Sequence, residues 1–209
     1  MATRPGWGLE NPHPGLTTTV RVFVFMTRKE RVIVYIDGSN LYFKLKTLST
    51  PQTSQFNYYG LSKYLVKNGT LISIHYYVGV VRSNTNNYRS QKIEHGQYIL
   101  FNTLHKQGII LHKGYLMQNN GVYHEKGVDV NIAVDLLVGA YEDHYDTALL
   151  LSSDTDLIPA IQKVKNLKKK VGYIGFVNHS SIALKNHCTF FKLLTKQELF
   201  PFIKKHPAK

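Results

Sequence analysis

Residues 31–36 (RVIVYI) form an apolar run, β-branched at four of its positions, that ends directly on a carboxylate, Asp37. A run without polar alternation belongs to a strand buried on both faces, as in the middle of a parallel sheet. Such a strand needs helices on both sides, which narrows the fold to a layered α/β architecture. The chain repeats the theme. Strands are expected at 71–81 (LISIHYYVGVV), 109–112, 147–151 (TALLL) and 170–177 (KVGYIGFV). Helical patterns occupy 41–48, 58–66, 87–106, 128–141 and 156–167. Pro51 separates the first two helices, Gly108 ends the third, and Pro159 falls in a first turn, where proline is tolerated. In 128–141, Val130, Val134, Leu137 and Tyr141 recur at helical spacing. Residues 115–123 read as a hairpin turn centred on Asn120-Gly121. A short helix near 181–185, a possible strand at 190–194 and a helix near 196–204 complete the chain. Strands that alternate with helices imply right-handed crossovers, and ligands then bind beyond the carboxyl ends of the strands.

The length of 209 residues fits one domain with extensions. Residues 1–29 are set off as an N-terminal extension holding three of the seven prolines. It is either an arm or a leader to a natural start at Met26. Residues 30–195 form the domain, and 196–209 a C-terminal helix with a basic tail. The single cysteine, Cys188, excludes an intramolecular disulfide and a multi-cysteine zinc site, and its apolar surroundings suggest a packed thiol. The ten histidines are scattered, with no H-E-x-x-H. No apolar run approaches the ~20 residues that cross a bilayer, and no signal peptide is read, so no membrane partner and a cytoplasmic location are expected.

Charge points to a partner. The chain has 26 Lys+Arg against 13 Asp+Glu, a net charge of +13. Such an excess suits a polyanion, although a basic surface also serves solubility. Against this background the placement of the few acids is informative. Asp37 follows the first strand, Asp154 and Asp156 follow the fourth, and Asp129 opens a helix. If the first and fourth strands are neighbours, these carboxylates converge. Clustered carboxylates raise one another's pKa unless a cation compensates. A hard divalent ion such as magnesium, held by few carboxylates and several waters, suits phosphodiester hydrolysis. Each acid also has a plainer reading. Asp37, Asp154 and Asp156 suit helix N-caps, and Asp129 suits a helix N-terminus. Asp135, deeper in its helix, is a weaker candidate.

The segments Ile36-Asp37-Gly38-Ser39-Asn40, Lys126-Gly127-Val128-Asp129-Val130 and Ser152-Ser153-Asp154-Thr155-Asp156-Leu157 resemble, in order and context, the three signature motifs of NYN (LabA-like) domains, a branch of the PIN-like nucleases. The resemblance covers roughly residues 31–194. It implies a Rossmann-like, PIN-type three-layer α/β/α sandwich with a mainly parallel sheet of strand order 3-2-1-4-5. It also implies a metal-dependent ribonuclease using Mg2+ or Mn2+. By motif position it assigns Asp37, Asp129, Asp154 and Asp156 to the metal site, with Asn40 and Ser152 beside the metal waters or a substrate phosphate. Family members often carry an acid near the position of Thr189, which this chain lacks.

For RNA, single-stranded or structured, Arg82, Arg89 and Tyr88 after the second strand offer phosphate grips and a stacking ring. Lys113 and Lys126 flank the third strand. The five lysines of 163–170 read more simply as a solvated helix face. A homodimer would be unsurprising. The rival function is an RNA- or protein-binding module that keeps the fold without catalysis. A dinucleotide or P-loop enzyme is disfavoured, because neither G-x-G-x-x-G after the first strand nor G-x-x-x-x-G-K-[ST] is present.

Overall fold

The computed structural model describes residues 28–47, 55–81, 88–119 and 122–203. The expectations for residues 1–27, Pro51, Arg82, the Asn120-Gly121 turn and the basic tail lie outside these residues, and the side chain of Arg89 is likewise not described.

Among the described residues, seven strands form one sheet: β1 (Arg31–Asp37), β2 (Thr70–Val81), β3 (Ile110–Asn119), β4 (Val122–Lys126), β5 (Thr147–Leu151), β6 (Lys170–Phe176) and β7 (Phe190–Leu194). Their order is β4-β3-β2-β1-β5-β6-β7. All neighbours are parallel except β3 and β4. The five strands read from apolar runs stand in the middle in the order 3-2-1-4-5. The sheet differs from that expectation in carrying β4 and β7 on its two edges. The third strand is also longer than its apolar stretch, because residues 115–119 continue it and pair with β4.

Among the described residues, seven α-helices flank the sheet: α1 (Gly38–Thr47), α2 (Tyr58–Val66), α3 (Tyr88–Lys106), α4 (Val128–Tyr141), α5 (Ile158–Asn166), α6 (Ile182–His187) and α7 (Lys196–Leu199). The last is shorter than expected. A capping box at Thr195 and Glu198 starts it, and Pro201 lies in the 3-10 turn that follows. Alternation along β1 divides the core. Val32, Val34 and Ile36 pack with Leu41, Leu61, Leu104 and Leu199 on one side. Ile33 and Tyr35 pack with Ile132, Leu136, Ile161 and Leu184 on the other. Cys188 is buried in the second core, and burial pushes its thiol up to about 11.

The face of α4 departs from the expectation. Val130, Val134 and Tyr141 are exposed, at 64%, 49% and 59%. Val128, Ile132, Leu136 and Ala140 take the core positions instead. The helix is apolar nearly all round, so periodicity alone leaves its rotation undetermined. None of the described helices is long and apolar enough to cross a membrane.

Candidate active site

β1 and β5 are neighbours, with Ile36 opposite Leu151. The residues that follow them, Asp37 and Ser152, therefore emerge side by side at the carboxyl edge. The chain leaves β1 toward β2 on one side and β5 toward β6 on the other, so this is the switch point of the sheet.

Asp37 is 6% exposed. One carboxylate oxygen accepts from the Asn40 N–H at 2.9 Å, and the other accepts from Ser152 Oγ at 2.9 Å. Ser152 Oγ in turn accepts from the Asp154 N–H at 3.1 Å. Asp154 Oδ1 caps the 3-10 turn Thr155–Leu157 through the Asp156 N–H at 2.9 Å. The capping readings of Asp37 and Asp154 hold, and each spends only part of its carboxylate on the cap. Gly127, at φ +80°, turns the chain from β4 into α4. That conformation is open to glycine and strained for other residues. It brings Asp129, in the first turn of α4, against Asp154, with which it shares a hydrogen bond.

Glu125 is a further carboxylate here, and the sequence reading missed it. It reaches across from β4 and accepts from the Gly79 N–H of β2. A Cβ at Gly79 would lie 2.9 Å from Glu125 Cγ and Oε1, so glycine opens the space that Glu125 enters. The only forewarning was the glycine at position 79 inside a strand, which marks a close approach.

Electrostatically these groups act as one. Burial pushes the Asp37 carboxyl up; the bonds from Asn40 and Ser152 pull it back, and Glu125 and Asp154 push it up again. Asp129 is pushed up to about 6, first by partial desolvation, then by Asp154 and Asp37, with the Asp154 hydrogen bond and Glu125 adding to it. Among the described residues, the neighbouring charges that act on Asp37 and Asp129 are carboxylates of this same cluster.

The remaining candidates fall in several places. Asp156 is exposed and contributes its backbone to Asp154. Asn40 opens α1 beside Asp37, and Ser153 Oγ reaches toward its Oδ1 at 3.5 Å. Lys126, exposed, ends β4 immediately before Gly127. Tyr88 is 80% exposed at the start of α3. Lys113 lies over the Phe101 ring, 5.3 Å from its centroid. The lysines of 163–170 sit toward the opposite edge, where β6 begins. There Lys169 pairs with Asp143 and Asp146, Lys170 pairs with Glu30, and Lys165 donates to the His187 carbonyl. Thr189 lies at that edge too, accepting from the Val171 N–H.

Asp135 joins a different cluster. Its Oδ2 accepts from the Tyr77 hydroxyl at 2.7 Å and lies 3.1 Å from His112 Nδ1. His112 Nε2 meets His75 Nδ1 at 2.9 Å, and His75 Nε2 meets Ser73 Oγ at 2.9 Å. Burial lowers both imidazoles, His75 to about 4, with Asp135 opposing the shift in each.

A family model described as the NYN domain matches residues 31–194. The chain belongs to the NYN domain family. No curated protein matches it. Among solved structures, this NYN chain is similar to a protein of unknown function from Vibrio parahaemolyticus, at 20% identity and a TM-score of 0.57. The match covers 80% of this chain and 94% of that one. A second match is to a T5 5′-exonuclease with divalent metal ions (zinc) bound, at 16% identity and a TM-score of 0.43. It covers 75% of this chain and 60% of that one. The first likeness is one of fold; the second is too distant to bear on activity.

Proposed function

We propose that this NYN domain, of the LabA-like branch of the PIN-like nucleases, is a metal-dependent ribonuclease. The observation that carries the reading is the convergence of Asp37, Asp129, Asp154 and Glu125 at the switch point, with Asp129 pushed up to about 6 by partial desolvation first and then by these neighbours. The donor set is all oxygen, which suits Mg2+ or Mn2+ rather than a soft ion. Among the described residues, no three of these carboxylates bring one oxygen each within 4.8 Å of one another. That spacing fits an ion held by one or two carboxylates and several waters.

Asp37 and Asp154 would hold the ion, with Asp156 at the rim and Asp129 completing the pocket or orienting the attacking water. When bound, the ion would lower the pKa of a water and stabilise the attacking and leaving oxygens of an in-line displacement. Ser152 holds the Asp37 carboxylate in place and, through its contact with the Asp154 N–H, couples the two strand ends. Asn40, Lys126 and Arg82 would take the substrate phosphates, and Tyr88 would stack on a base. RNA as substrate, a cytoplasmic location and pairing of two copies belong to the same proposal; the charge of +13 supports the polyanion. Asp154→Asn should abolish RNA cleavage and leave the circular dichroism spectrum unchanged. An Asp154→Asn protein that still cuts would overturn the assignment.

A further inference from the structure

The histidine cluster lies apart from the acidic edge, and the ribonuclease reading does not use it. Tyr35 precedes Asp37 by two residues on β1, and Asp135 follows Asp129 by six on α4, about 9 Å along the helix axis. His75 on β2, His112 on β3 and Asp135 on α4 are the three ligating side chains, among the described residues, that offer one donor atom each within 4.8 Å of one another. We propose that His75, His112 and Asp135 form a second metal site, of the two-histidine, one-carboxylate kind that zinc favours.

The geometry supports this in three ways. First, the two imidazole nitrogens that face each other at 2.9 Å share one proton between them. Two Zn–N bonds of ~2.0–2.1 Å at a tetrahedral angle need a nitrogen–nitrogen distance of about 3.3 Å. A small opening of the pair admits a cation between these two nitrogens, and Asp135, which now rests against the other nitrogen of His112 at 3.1 Å, reaches that ion by turning its carboxylate from there. Second, the rings are held for ligation. Tyr35, His75, His112 and Tyr77 stack in sequence, with centroids 5.3, 5.0 and 4.4 Å apart. Tyr77 also donates to Asp135, an outer hydrogen bond of the kind that orients a ligating carboxylate. Third, the cluster is accessible. A cavity of about 300 Å³ opens on His75 and Asp135, with Ser73 and His144 also in its wall. A fourth ligand, water or one of these two side chains, has room there. An ion so held would tie β2 and β3 to α4, the helix that carries Asp129, and would give the half-buried Asp135 a purpose that the acidic edge does not.

The test uses the untagged full-length protein, freed of metal by chelator and titrated with zinc chloride. Calorimetry and elemental analysis give stoichiometry, and cobalt substitution gives the visible absorption of a tetrahedral ion. A doubly substituted Asp37→Asn, Asp154→Asn protein should still bind one equivalent of zinc, which separates this site from the acidic edge. His112→Gln should lose that equivalent, and Tyr77→Phe should weaken it by about tenfold. Folded His112→Gln that binds zinc as the unsubstituted protein does, or unsubstituted protein that takes up none, would overturn the proposal. If His112→Gln does not fold, Asp135→Asn and Tyr77→Phe decide: weakened binding supports the site, and unchanged affinity in both rules it out.

Discussion

Asp129 is the residue whose surroundings speak most clearly of a missing positive charge. Its folded carboxyl titrates near 6, well above the ordinary carboxylate range, because it stands partly desolvated among Asp154, Asp37 and Glu125. A raised acid favours the folded state when protonated. Its contribution to stability is therefore full below the unfolded pKa of about 4 and lost as the pH rises through 6. Asp129→Asn removes that loss. In metal-free protein at pH 7.5 the substitution should stabilise by on the order of 1 kcal/mol, once screening by solvent is allowed for. That corresponds to about 2–4 °C in Tm, and the advantage should fade by pH 4. A stabilisation equal at both pH values would show that the neighbouring charges are not its cause. Glu125→Gln isolates a second term. The amide oxygen can still accept from Gly79, so the fold should persist, while half-maximal activity should need about tenfold more manganese. An unchanged manganese requirement would remove Glu125 from the site.

At the scale of elements, how well the sequence could be read depended on whether an element's signal was local. β1, β5 and β6 were legible because burial on both faces leaves uninterrupted apolar runs, a signal contained in each segment. Asp37 and Asp154 were legible for the same reason: each follows such a run. β4 (VYHEK) was not read as a site element, being a short edge strand with alternating exposure. Its Glu125 enters the site only because β4 folds back on β3 and Gly79 leaves space on β2, a relation spanning 46 residues. The histidine cluster was invisible on the same grounds, since His75 and His112 meet across 37 residues with no common motif. The rotation of α4 was misread because valines fill both its buried and exposed sides. Truncation tests the observed face. Ile132→Ala, from the core, should cost about 2–5 kcal/mol, and Val134→Ala, from the exposed side, less than about 0.5 kcal/mol. Denaturant melts that rank the two the other way would restore the sequence-based face.

Over the whole molecule, acids stand at both ends of the sheet, and at the end where β6 begins lysines pair with them. Carboxylates gather at the carboxyl edge of the sheet, while lysines 163–170 cluster where β6 begins, three of them already engaged by Asp143, Asp146, Glu30 or the His187 carbonyl. The net charge of +13 already cancels those lysines against the acids they pair with, so the excess that meets a polyanion comes from other basic residues, and the acidic edge must approach phosphate with its own charge offset. A bound divalent ion provides that offset, which is why metal and substrate are coupled in this account. The most direct measurement is cleavage of a labelled, mixed-sequence RNA by purified protein with manganese, with magnesium and with chelator, beside Asp37→Asn. The account predicts cutting that needs the metal and that Asp37→Asn lacks. Equal cutting by Asp37→Asn, or no cutting by folded protein with either metal, would contradict it.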